Sequence, residues 1–175
     1  MLRQSLLFSL ACFAASPVHG VLAQSAPSAS REIDNHAGIF FFCKPLANEA
    51  WTARACEEVG ARMTALSGGV QKPIVILKTG DTREKYPELA KAKGFDSTRA
   101  VWFLLTINPH AQLKGQWELV ARADHSKIPP PASGQPQVVT NSMRATVDSS
   151  AEVAAKGKAM LDTLMLTLAH PQKPL

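Results

Sequence analysis

Ala100-Val101-Trp102-Phe103-Leu104-Leu105-Thr106-Ile107 is the stretch on which the fold turns. A continuous apolar run of this length, rich in aromatic and β-branched residues, reads as a strand covered on both faces. Asn108-Pro109-His110 breaks it, and the turn closes at Lys114-Gly115. Beyond the turn, Trp117, Leu119, Ala121 and Ala123 alternate with Glu118, Val120, Arg122 and Asp124. That period of two marks a half-exposed strand, antiparallel to the one before it. The sheet therefore changes character here.

Moving toward the N-terminus, Pro73-Ile74-Val75-Ile76-Leu77-Lys78 and Gly38-Ile39-Phe40-Phe41-Phe42-Cys43 are two more short apolar runs of the doubly covered kind. A helix is expected between them, capped by Asn48, running to about Ser67 and stopped by Gly68-Gly69. Trp51, Ala55, Val59, Met63 and Leu66 share one of its faces. A shorter helix is expected over Pro87 to Lys93, with Gly94 just past its end. Toward the C-terminus, the Pro-rich residues 126–136 read as an extended loop and Gln137 to Thr146 as an edge strand. Ser149 with Glu152 fits a capping box opening a last helix, whose face carries Val153, Gly157, Met160, Leu161, Leu164 and Leu168, and which His170-Pro171 ends. The order is β-α-β-α-β-β-β-α. This is an α/β fold with a mixed sheet of about five strands and helices packed on it, the first three strands parallel through right-handed crossovers.

The chain begins with Met1-Leu2-Arg3-Gln4, then an apolar run from Ser5 to Ala15, then Val21-Leu22-Ala23. This is the order of parts in a secretory signal peptide, with cleavage expected after Ala23. The apolar run is too short for the roughly 20 residues of a spanning helix, so no membrane span is expected after cleavage. Cys12 lies inside that run without the aliphatic residue that a lipoprotein site wants three places earlier. The expected organisation is a signal peptide at 1–23, a flexible leader at 24–35, one domain at 36–170 and a tail at 171–175. Removing 23 residues from 175 leaves a single-domain length, and the net charge falls from +5 to +4 because Arg3 is the only charge lost. Acidic residues interrupt the basic ones throughout, so the stripe of a nucleic-acid binder is missing.

Export leaves Cys43 and Cys56, which either pair or serve as small buried hydrophobes. Distance argues against pairing if the helix starts at Asn48, because Cys56 then lies roughly 12 Å along its axis. Pairing requires a later start, with residues 44–50 folding back. Ligands of open α/β sheets bind beyond the carboxyl ends of parallel strands. That rim gathers Lys44, Lys78, Asp81, Asn108 and His110, a polar and mildly basic set suited to a small anionic ligand. At the opposite rim, His36 precedes the first strand and Asp124-His125 ends the fourth. Two histidines and a carboxylate suit zinc, although adjacent residues of a strand point to opposite sides. No nucleophile elbow, zinc-protease helix or phosphate loop is present, so neither a catalytic residue nor a cofactor is assigned. Trp51, Trp102 and Trp117 are expected in the core.

These readings describe a non-enzymatic accessory or binding module of the cell envelope, periplasmic or secreted, with an envelope protein or a small anionic ligand as partner. The alternatives are a small secreted hydrolase using His110 and Asp81, and a metal-binding protein using His36, Asp124 and His125. An apolar patch around Val138-Val139 on the edge strand would favour partner binding by strand addition.

Overall fold

Five strands form one mixed sheet in the order β2-β1-β3-β4-β5. The computed structural model describes residues 31–46, 49–127 and 137–170. The expected signal peptide and its cleavage site, Asn48, most of the Pro-rich connection and the residues at 171–175 lie outside these described residues. The elements are β1 (Gly38–Pro45), α1 (Ala50–Gly69), β2 (Ile74–Leu77), α2 (Tyr86–Ala92), β3 (Ala100–Pro109), β4 (Trp117–Ser126), β5 (Val138–Val147) and α3 (Ser150–Ala169). β1 pairs in parallel with β2 and β3, Ile39 lying between Ile74 and Val101. β3–β4 and β4–β5 are antiparallel. The expected α/β class, strand directions and element order are all present.

The two faces of the sheet are covered unequally. Ile39 and Phe41 of β1, Val101, Phe103, Leu105 and Ile107 of β3, and Leu119, Ala121 and Ala123 of β4 point to one side, where α1 and α3 close the main core. Val59 and Met63 of α1 and Leu161, Leu164 and Leu168 of α3 meet them. Each such side chain contributes about 1.5–3 kcal/mol on burial. On the other side Phe40, Val75, Leu77 and Ala100 are covered by Ala90 of α2 and by Phe95 beyond it. The α2 helix is only seven residues long. It roofs β2, β1 and part of β3 and leaves the rest of that face to solvent.

The packed domain takes in Arg31–Asn35, which the sequence pattern assigns to the leader. Glu32–Asn35 form a 3-10 turn whose Ile33 is fully buried in the main core. One isoleucine in a polar stretch has no periodicity to announce it. The N-cap of α1 is Glu49 rather than Asn48. At α3 the Ser149 hydroxyl donates to Glu152 Oε1 at 3.3 Å, so these two side chains bond to each other and Ser149 makes no side-chain bond to the backbone.

Cys43 and Cys56 form a disulfide, with Cα atoms 5.5 Å apart. The distance objection fails because α1 runs back along the sheet. Cys43 lies two residues before the end of β1, about 6.6 Å below its top. From Ala50 the helix descends about 9 Å to reach Cys56. The two sulfurs therefore come level.

Candidate functional site

Strand alternation decides where each candidate side chain goes. On β4 the odd-numbered residues Leu119, Ala121, Ala123 and His125 face the two-helix core and are buried. Even-numbered Arg122 and Asp124 face the opposite side. Asp124 is thereby removed from the histidine cluster expected at this rim. One of its oxygens pairs with the Arg122 guanidinium at 2.8 Å, and the other accepts from the Thr140 hydroxyl at 2.8 Å.

His36 and His125 do converge, with ring centroids 5.1 Å apart and planes at 74°. The carboxylate that joins them is Glu32, from the 3-10 turn. Its Oε1 lies 3.5 Å from His36 Nε2 and 3.5 Å from His125 Nδ1. His36 is only 1% exposed and His125 5%. Neither ring nitrogen of His36 has a hydrogen-bond partner among the described residues, nor has His125 Nδ1. Burial, then the neighbouring His125, pushes the His36 pKa below its usual value, so the neutral imidazole is favoured. The Lys72 ammonium donates to the His36 carbonyl at 2.7 Å and fixes the backbone beneath the ring. Glu32 and His125 also line a shallow depression of about 260 Å³, together with Lys127, Asn141 and Thr167. The one sequence signal for Glu32 is its spacing of four from His36.

The carboxyl-end rim is organised differently. Asp81 accepts from the Lys78 backbone N–H at 2.7 Å, closing the turn after β2. His110 Nδ1 accepts from the N–H groups of Gln112 and Leu113, at 3.2 and 3.1 Å, and so orders the β3–β4 hairpin. Both side chains are engaged in their own turns. Lys44 is exposed, and Asn108 is half-buried with its Oδ1 lacking a hydrogen-bond partner.

The larger concavity is a groove of about 620 Å³ on the face that α2 only partly covers. None of Lys44, Lys78, Asp81, Asn108 and His110 lines it. Phe42, Trp102 and Leu104 make its floor, Tyr86 one wall, and Arg83 and Arg122 supply cationic groups. Trp102 stacks on Phe40 at 4.2 Å and 20°, and Tyr86 leans on Trp102 at 5.1 Å. All three tryptophans expected in the core are half-buried, and Trp102 is the one that lines the groove. The sequence signal is imbalance: three strands apolar on both faces, yet only two long helices to cover them.

No protein-family model matches this chain, and no curated protein matches it. Among solved structures the chain is similar to the 1.65 Å structure of the hypothetical protein CT253 from Chlamydia trachomatis, at 10% identity and a TM-score of 0.36. The match covers 75% of this chain and 93% of that one. Among the described residues, no helix is long and apolar enough to cross a membrane.

Proposed function

We propose that this protein is an exported binding module of the cell envelope, and that it holds a small amphipathic anion in the groove between α2 and β4. The observation that carries this reading is the groove's composition. A stacked aromatic floor offers a flat apolar seat, and Arg83 and Arg122 stand over it against a single carboxylate, Asp124. Its volume of about 620 Å³ falls within the range of small-molecule sites. Asp124 is held by both Arg122 and Thr140, which suits a fixed recognition surface better than proton transfer. The Cys43–Cys56 disulfide is compatible with an oxidising compartment, as the N-terminal signal pattern requires.

Two measurements test the proposal. Protein recovered from the periplasmic fraction should begin at Gln24 and carry no free thiol. Titration with anilinonaphthalene sulfonate, a flat apolar anion, should saturate and quench tryptophan fluorescence. Trp102→Ala, which removes the stacked floor, and the pair Arg83→Gln with Arg122→Gln should each weaken binding about tenfold or more. Affinity unchanged in both variants would place the ligand elsewhere and sink the reading.

A second reading, partner binding by strand addition, has one observation behind it. β5 is a ten-residue edge strand whose outer side pairs with no strand among the described residues, and Val138 is 62% exposed. A substitution to proline at Ser142, which lies on the solvent side of β5, should then cost partner affinity while leaving the groove titration unchanged.

A further inference from the structure

We infer that Glu32, His36 and His125 form a binding site for a divalent transition metal, with zinc the best fit. The distances separate a metal site from an ordinary ion pair. A charge-assisted hydrogen bond between imidazole and carboxylate spans about 2.7–2.9 Å. Here one carboxylate oxygen stands 3.5 Å from a nitrogen of each ring. That is too long for the bond, and it matches the edge of a zinc tetrahedron. Metal–nitrogen and metal–oxygen lengths of about 2.0–2.2 Å set neighbouring ligands about 3.3–3.5 Å apart. The three ligand atoms all lie within 4.8 Å of one another, so modest contraction closes the set around one ion.

The unpaired nitrogens make the independent case. A buried polar atom without a partner costs about 1–3 kcal/mol. Four buried side-chain atoms among the described residues are in that state, and three of them belong to His36 and His125. A metal satisfies one nitrogen of each ring at once. It also balances the Glu32 carboxylate, whose side chain is 21% exposed, against two rings that are 0% and 4% exposed. Nitrogen and oxygen donors without thiolate suit zinc over softer metals, and the hard all-oxygen shell of calcium or magnesium is absent. Three protein ligands leave a fourth position, and the depression lined by Glu32, His125, Asn141 and Thr167 offers it room. The site shares only His125 with the groove's lining, uses none of Tyr86, Trp102, Arg83 and Arg122, and stands if the groove reading fails.

The test uses the protein as purified from an expressing cell, stripped with chelator and titrated with zinc chloride by calorimetry. One equivalent should bind. Glu32→Gln, nearly isosteric, should weaken binding a hundredfold or more, beyond the 10–100-fold that an outer-shell change costs. Asp124→Asn should leave affinity within about twofold, because that carboxylate faces away. Cobalt(II) in the wild-type site should give the intense visible bands of a tetrahedral centre, and zinc should bleach them. If Glu32→Gln loses its fold, the wild-type melting temperature with and without zinc still reads the site. Absence of stoichiometric binding, or equal binding by the Glu32 and Asp124 variants, overturns the inference.

Discussion

Breaking the Cys43–Cys56 link should cost about 3 kcal/mol. The cysteines are 13 residues apart in sequence, and the loop-closure entropy restored to the unfolded chain by opening a loop of that length is about 3 kcal/mol at 25 °C. For a domain of this size that corresponds to a fall in melting temperature of about 6–12 °C. The perturbation is best made twice. The double variant Cys43→Ala with Cys56→Ala removes the link together with two half-buried sulfurs. Reduction of the wild type with dithiothreitol removes the link and keeps the sulfurs. Urea unfolding followed by tryptophan emission gives both free energies, and the slope should rise as the unfolded chain loses its crosslink and expands. The difference between the two experiments isolates sulfur packing. A loss below about 1 kcal/mol in the reduced wild type would refute the entropic reasoning. Two titratable thiols in the oxidised, purified protein would refute the pairing itself.

Phe41→Ala removes a fully buried ring from beneath the two long helices and should cost about 3–5 kcal/mol by the same urea assay. Gly38→Ala should cost about 1–3 kcal/mol, because the new methyl would stand 2.5 Å from ring atoms of Phe95 and force that ring from its place against Phe40. Thermal unfolding that leaves Gly38→Ala as stable as the parent would show the ring is free to move. Gly80→Ala should cost about 1–2 kcal/mol for a different reason: its φ of +100° suits glycine, while nothing lies within 4 Å to clash. An unchanged melting curve would mean that turn can relax.

The legible parts of this fold are those with a period. Residues 38–43, 73–78 and 100–107 read as doubly covered strands and are β1, β2 and β3, while the alternation from Trp117 to Asp124 is the half-buried β4. Parallel β1 and β3 with an antiparallel β4 bring His36 and His125 to one rim, so their meeting was accessible from the element order alone. Their carboxylate was not. Glu32 sits in a short polar stretch whose only anchor is Ile33, and Asp124 looked nearer in sequence while pointing to the other face. The groove escaped for a similar reason, since it depends on how far a seven-residue helix reaches across a sheet. The disulfide turned on direction: an upward strand followed by a returning helix brings level two residues that path length along the chain makes look distant.

The two edges of the sheet are unequal, β2 with four residues and β5 with ten. That inequality constrains the symmetry of any association through main-chain bonds. A head-to-tail contact of β5 on β2 could match only four residues of the longer edge, which disfavours an open filament. Two β5 edges meeting antiparallel around a two-fold axis would match along their whole length and close the assembly at a pair, leaving a short β2 at each outer margin. Any pairing of copies through β5 would thus close at two.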